Sequence, residues 1–199
     1  MSEYVLVLFY SSGGHTQQMA ESIAKGIESA GIEARIRTVP RISAQTEKTQ
    51  HEIPDEGYLF ASKDDLAHCS ALVMGSPTRF GNMAAPLKYF LDQTSDLWLS
   101  GALVNKPAAV FTSSSTLHGG QESTCLSMQL PLLHHGMIIV GIPFTATGMH
   151  INEQFTKYEG GSPYGAGMIS HKENLSKNED SLCHALGKRV ALIAKKLTC

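Results

Sequence analysis

Apolar residues fall along this chain in two alternating kinds of pattern: short unbroken runs, and longer stretches where they recur every three or four positions. Tyr4 to Phe9 (YVLVLF) is an unbroken β-branched and aromatic run that stops at Tyr10-Ser11-Ser12-Gly13-Gly14, which predicts a strand buried on both faces of a parallel sheet. From Thr16 to Ala30 the residues Met19, Ala20, Ile23, Ala24 and Ile27 form one apolar face, and Gly31 follows. That pattern predicts a helix ended by glycine. Glu33 to Val39 alternates, with Ala34, Ile36 and Thr38 on one side, before Pro40; it reads as an edge strand. Ser70 to Gly75, Lys106 to Thr112 and Met137 to Pro143 are three further strand-like runs. Helical spacing returns in a short turn at Asp64 to Ala67, in Ala84 to Asp92, and in Gln121 to His135, where Pro131 predicts a kink or an early stop. In the last stretch Leu182, Leu186, Val190, Ile193 and Leu197 make one stripe. Asn178 is its expected N-cap, with Glu179 and Asp180 in the first turn and Lys195 and Lys196 in the last.

Strands alternating with helices predict one α/β domain over residues 1–199, a doubly wound, five-stranded parallel sheet in the order 2-1-3-4-5 with helices on both faces. Residues 41–63 and 144–177 carry no sustained period and are too long for ordinary connections, so they are expected to be functional excursions or subunit contacts. Ligands of such sheets bind beyond the carboxyl ends of the strands where the winding reverses. The loops after strands one, three and four are therefore the place to look.

Composition narrows the choices. With 16 Lys+Arg against 18 Asp+Glu the formal charge is -2, which leaves no cationic field to draw nucleic acid or an anionic membrane surface as main partners. No apolar stretch approaches the roughly 20 residues a spanning helix needs. The start, Met-Ser-Glu-Tyr, lacks a basic leader region, and the expected location is the cytoplasm. Cys69, Cys125, Cys183 and Cys199 stand far apart with no CxxC pair, which favours four free thiols over disulfides or zinc.

The first of the three loops, Ser11-Ser12-Gly13-Gly14-His15-Thr16-Gln17, opens onto a helix N-terminus. Backbone amides, the helix dipole and hydroxyls could hold a phosphate there without a lysine; an ordinary capped helix start is the alternative. It matches neither GxxxxGK[ST] nor GxGxxG, and GxSxG is absent from the chain. An acidic receiver pocket is also excluded, because strands one and three end in Ser11 and Gly75-Ser76. The second loop is Gly75-Ser76-Pro77-Thr78-Arg79-Phe80-Gly81-Asn82-Met83 and the third Thr112-Ser113-Ser114-Ser115-Thr116-Leu117-His118-Gly119-Gly120-Gln121. Their small polar residues could bond the edge of a flat heteroaromatic ring, with Phe80 as an apolar surface. His134 and His135 are adjacent on a helix, point in different directions and have no third ligand nearby, so no metal is expected.

Together SSGGHT, GSPTRFGNMAAPLKYFLDQT, LWLSGALVNKPAAVFTSSSTLHGGQEST and LPLLHHGMIIVGIP resemble the WrbA family of flavodoxin-like NAD(P)H:quinone oxidoreductases, over nearly the whole chain. PTRFGNM and HHGM are specific in combination, since an ordinary flavodoxin has neither. The resemblance implies bound FMN. Its phosphate would lie at Ser11, Ser12, Gly13, Gly14, His15 and Thr16, its ring beside Pro77, Thr78, Arg79, Phe80 and Gly81, and its polar edge against Ser113, Ser114, Ser115, Thr116, Leu117 and His118. His134 would also border the flavin, and Trp98, Gly13, Phe80 and His134 would line the substrate pocket, Trp98 reaching that of a neighbouring subunit. NADH or NADPH as donor, a quinone as acceptor, a two-electron ping-pong hydride relay and a homotetramer built as a dimer of dimers follow from the same resemblance. A one-electron carrier of the flavodoxin kind and an accessory protein without enzymatic activity are the other classes, and neither draws support from the charge or the two excursions. This chain departs from some relatives at Gly13, where they carry an aromatic residue, and at Ser115-Thr116-Leu117-His118, where they are richer in glycine.

Overall fold

The computed structural model describes residues 3–42, 57–146, 160–170 and 173–197. Strand β1 (Tyr4–Phe9) is followed by helix α1 (His15–Ser29) and strand β2 (Glu33–Thr38). Next come α2 (Lys63–Ala67), β3 (Ala71–Pro77), α3 (Ala85–Asp92), α4 (Ser95–Leu99) and β4 (Pro107–Ser114), then α5 (Gln121–His134), β5 (Ile138–Ile139), β6 (Ala166–Ile169) and α6 (Lys177–Leu197). The sheet is parallel throughout, in the order β2-β1-β3-β4-β5, with β2 at the edge as its alternation predicts. Along β1 the pleat divides the core in two: Val5, Val7 and Phe9 pack towards α1 and α6, and Tyr4, Leu6 and Leu8 towards α3 and α5.

Three sequence expectations need correction. The fifth lane is not one strand over Met137 to Pro143: β5 pairs only Ile138 and Ile139 with Pro107 and Ala108, and β6 takes the upper half of the lane, Ala166 to Ile169 pairing with Phe111 to Ser114. The sheet therefore has six strands, and β6 lies inside what reads as an aperiodic excursion because four residues rich in Gly and Ala carry no period. Pro131 does not stop α5, which runs on to His134, where the Pro131 carbonyl still accepts the His135 amide at 3.1 Å. Proline removes its own donor and crowds the carbonyl four residues before it, but leaves the bonds of the final turn intact. Finally, the cap of α6 is Ser176 rather than Asn178. Its Oγ accepts the Glu179 amide at 3.1 Å while Glu179 Oε2 accepts the Ser176 amide at 2.9 Å, a reciprocal capping box.

Helices α1 and α6 touch backbone to backbone. A Cβ on Gly26 would strike the His184 carbonyl oxygen, and one on Gly187 the Ile23 carbonyl oxygen. Glycine sits inside both helices because nothing larger fits the crossing. The excursion 41–63 falls largely outside the described residues; its end is tied down by a parallel bridge between Phe60 and Thr38 and by the Ser62 to Asp65 capping box that starts α2.

Candidate functional site

Helix α1 begins without a side-chain cap. Its N-cap is Gly14, in the left-handed region at φ 82, so the first amides of the helix and its positive dipole end face the loop. Beneath them Thr16 Oγ1 and Ser113 Oγ lie 3.1 Å apart, joining the loops after β1 and β4. Ser11 Oγ is buried and meets no hydrogen-bond partner among the described residues. A buried hydroxyl without a partner is costly, and points to something absent from the chain itself.

The loop after β3 is a tight hairpin: Arg79 and Asn82 exchange backbone bonds at 2.8 and 3.1 Å around Phe80 (φ 53) and Gly81 (φ 78). Two positive φ values in the central positions make this the mirror-image type I turn. Glycine takes that conformation freely and phenylalanine does not, so Phe80 is strained by about 1–3 kcal/mol. Its ring stands fully in solvent. The hairpin is anchored by Thr78, whose amide donates to the Ser113 carbonyl at 2.8 Å and whose Oγ1 accepts from Thr124 Oγ1 at 2.8 Å. Arg79 turns back over the cleft, bonding the Thr78 carbonyl at 2.8 Å and Ser12 Oγ at 2.9 Å. The guanidinium, expected beside the flavin ring, thus reaches the first loop.

The loop after β4 folds on itself. Ser114 Oγ donates to the Thr116 carbonyl at 2.7 Å, and the buried Gln121 donates to Ser114 Oγ at 2.8 Å and to the Met168 carbonyl at 3.2 Å. His118, in the left-handed region at φ 55, is exposed with its Nδ1 3.5 Å from Glu122 Oε1.

These loops enclose a cleft of about 230 Å³ lined by Ser11, Ser12, Gly13, His15, Thr16, Pro77, Thr78, Arg79, Ser113, Ser114, Ser115 and Ser170. No carboxylate is among them. The cleft thus gathers eleven residues named from the sequence; Gly14, Phe80, Gly81, Thr116, Leu117 and His118 lie at or beyond its rim. Ser170 is new, as are the two residues that hold it. It directly follows β6, and its amide reaches the Ser114 carbonyl at 2.7 Å. Fully buried Glu179 accepts the Gly160 and Ile169 amides, both at 3.0 Å, and so pins β6 to α6. Gln121 holds Gly161 as well, at 3.3 Å. The sequence signal for Glu179 was present, since Ser176-Lys177-Asn178-Glu179 spells a capping box; Ser170 had none.

Trp98 and His134 are not in this cleft. Gly120, at the start of α5, abuts Thr78, whereas His134 ends the helix about 20 Å away at 1.5 Å per residue. There β5 begins beside the first residue of β4, so His134 lies towards the amino ends of the strands. Trp98 and His134 instead share a second hollow of about 520 Å³ with Lys88, Leu91, Asp92, Leu130, Pro131 and His135. Within one chain the grouping of His134 with the cleft residues does not hold.

A family model described as NADPH-dependent FMN reductase matches residues 5–150. The chain belongs to this family. Among individual relatives, a protein of Syntrophobacter fumaroxidans named NAD(P)H dehydrogenase (quinone) is 45% identical over 203 residues, covering 98% of each chain. Another of the same name, from Gluconacetobacter diazotrophicus, is 42% identical over 198 residues, again covering 98% of both. Of the solved structures, the flavodoxin, WrbA-like protein from Agrobacterium tumefaciens matches with a TM-score of 0.68 at 24% identity, over 98% of this chain and 99% of that one. A two-electron reduced flavodoxin from Megasphaera elsdenii matches with a TM-score of 0.58 at 16% identity, over 94% and 98%. The doubly wound, flavodoxin-like fold is common to this chain and both solved structures.

The cleft fits the phosphate end of FMN. The uncapped amides of α1, the unpartnered Ser11 hydroxyl, the hydroxyls of Ser12, Thr16 and Ser113, and one guanidinium make a donor set for an anion. Drug-sized ligands fill roughly 300–1,000 Å³, so a cleft of about 230 Å³ takes the phosphate and sugar-alcohol chain and leaves a ring system at the rim, where Phe80 and the strand-four loop lie.

Proposed function

We propose that this chain is an FMN-dependent NAD(P)H:quinone oxidoreductase that reduces quinones by two electrons in a ping-pong relay, working as a homotetramer in the cytoplasm. The observation that carries this reading is the buried, unpartnered Ser11 hydroxyl beneath an uncapped helix start at the switch point of the sheet. Family membership and the printed names of two relatives aligned over nearly their full length support the nicotinamide and quinone as substrates. When bound, FMN supplies the redox chemistry, taking a hydride from the nicotinamide and yielding it to the quinone.

The chain's own residues bind and orient. Ser11, Ser12, Thr16 and Ser113 hold the phosphate end with the α1 amides, and Arg79 closes over it through Ser12. The Thr78 anchor keeps the hairpin in place, and the left-handed Phe80 is held outwards. One strained, exposed aromatic ring beside a flat ligand's rim is a surface for a second flat molecule, without any side chain moving a proton.

Trp98, Gly13, Phe80 and His134 form the quinone site only when two copies meet, because α5 separates the hollow from the cleft of its own chain. Around that hollow Tyr89, Trp98, Leu99, Leu130 and Leu133 are all exposed. An apolar surface of this kind, on three helices of one face, supports burial against another copy.

The test is direct. The protein is loaded with FMN, NADH or NADPH is added without oxygen, and benzoquinone follows. Bleaching of the flavin absorbance, recovery with quinone and parallel initial-rate plots are expected; no bleaching of a properly bound flavin by either nicotinamide would overturn the reading in favour of an electron carrier. Ser11→Ala should weaken FMN binding by about ten- to a hundredfold, the worth of one hydrogen bond to a charged group, with the melting temperature of the FMN-free protein unchanged or raised. Light scattering should report a tetramer at micromolar concentration.

A further inference from the structure

The five-residue helix α4 that carries Trp98 buries none of its residues. Packing holds it at one point, the half-buried Leu97 against the core, and its one ion pair, Lys63 to Asp96 at 2.7 Å, joins two exposed side chains, a kind that contributes little. Its firm attachment is at Thr94, in the turn between α3 and α4. Thr94 is fully buried, and its carbonyl accepts the Trp98 amide at 3.1 Å.

The Thr94 side chain reaches across to α5. Its Oγ1 donates its single proton to the Leu91 carbonyl at 2.7 Å and lies 3.0 Å from His135 Nε2. With that proton committed, the contact to the imidazole is a bond only if the ring donates, which assigns the proton of His135 to Nε2 and leaves Nδ1 as an acceptor. Nδ1 is buried and accepts nothing among the described residues. An apolar side chain would fill this space without leaving such an orphan, so what the imidazole supplies is the Nε2–H donor. Meanwhile the His135 amide closes the last turn of α5 on Pro131, next to His134. One continuous path of covalent and hydrogen bonds thus runs from His134 through the His135 ring and Thr94 to Trp98.

We propose that Thr94 and His135 are a positioning pair that fixes Trp98 against His134 and so sets the width of the hollow they share. The inference rests on the reading of Trp98 and His134 as quinone-site residues only for its kinetic consequence; the geometric part stands on the chain alone.

Trp98 is the sole tryptophan, so its fluorescence anisotropy and acrylamide quenching in the full chain report its mobility without activity. Thr94→Val and His135→Leu should each loosen Trp98. With FMN loaded, they should raise the KM for benzoquinone by up to about tenfold, the worth of one neutral hydrogen bond, with kcat and FMN content held. Thr94→Ser and His135→Gln, which keep a hydroxyl and an N–H donor, should behave as the native protein, and the Val/Leu double variant should be no worse than either single. Lower melting temperatures with unchanged Trp98 anisotropy and KM would overturn the proposal, leaving the pair merely structural. If Thr94→Val does not fold, the contrast between His135→Leu and His135→Gln decides alone. Trp98→Ala separates the two failures: an unchanged quinone KM there sinks the substrate role of Trp98, while the anisotropy of the pair variants still decides whether they position it.

Discussion

Replacing Glu179 with glutamine changes one atom and should disturb both stability and the cleft. The native carboxylate is fully buried and accepts three backbone amides, Gly160 and Ile169 on one oxygen at 3.0 Å each and Ser176 on the other at 2.9 Å. Glutamine retains one acceptor. If its oxygen keeps the Gly160 and Ile169 amides, its NH₂ group faces the Ser176 amide, donor against donor. The lost bond to a carboxylate is worth about 1.5–3 kcal/mol and a stranded donor costs another 1–3. Removing a buried carboxyl from a low-dielectric site returns part of this, so the net loss is about 2–4 kcal/mol. For a chain of this size that is a fall in melting temperature of roughly 4–16 °C, readable by calorimetry or urea unfolding. Because Ile169 precedes Ser170, FMN should also bind more weakly to Glu179→Gln. A variant within about 0.5 kcal/mol of native, the range of an ordinary surface substitution, would refute the argument that this carboxylate ties β6 to α6.

Other expectations follow from single contacts. Gly187→Ala puts a Cβ into the Ile23 carbonyl oxygen and should cost about 1–3 kcal/mol or more by overpacking the α1–α6 crossing, measured by urea unfolding. Burial alone would raise the Asp65 carboxyl, but hydrogen bonds from Ser62 and the Arg37 guanidinium hold it below its usual 3.8. Its contribution is therefore complete above about pH 4 and lost as the pH falls through the lower folded value, and Asp65→Asn should flatten the acid limb of the stability curve. Burial, then the neighbouring His134, depress the His135 imidazole below 6.5. The unfolded chain then binds the extra proton first, so stability should decline as the pH drops below 6.5, a slope that His135→Gln removes.

How much of this was legible in the sequence varies with the range of the forces involved. Strands β1, β3 and β4 are buried on both faces and so must be continuous apolar runs; such runs show at once. The α1 and α6 stripes show for the same reason, since a helix packed on one side must repeat every three or four residues. Strand β6 did not show. Its four residues are defined by partners on β4 and by the carboxylate of Glu179 on α6, and a pairing set from outside leaves no local mark. Met137 to Pro143 failed the other way: the run is apolar enough for a whole strand, yet after Val140 the chain turns away, Ile142 bonding to Pro163 rather than to β4.

The site followed the same rule with one addition. Loops that end adjacent parallel strands must meet in space, so eleven residues of the loops after strands one, three and four could be placed in one cleft from strand order alone. Trp98 and His134 were recognised by motif, and motif does not say which copy of the chain a residue serves. Helix length does: α5 runs from Gln121, which follows the Gly120 that abuts Thr78, to His134, about 20 Å away, and no rotamer spans that distance. The residues proposed to meet the quinone are thus divided between the two ends of one helix. On the proposed quinone site that division would make association a condition of activity rather than an accessory to it, and it yields a sharp expectation. Dilution below the dissociation constant of the proposed tetramer should abolish quinone reduction while FMN remains in the cleft, whereas a protein equally active as a monomer would require Trp98 and His134 to have no part in the reaction.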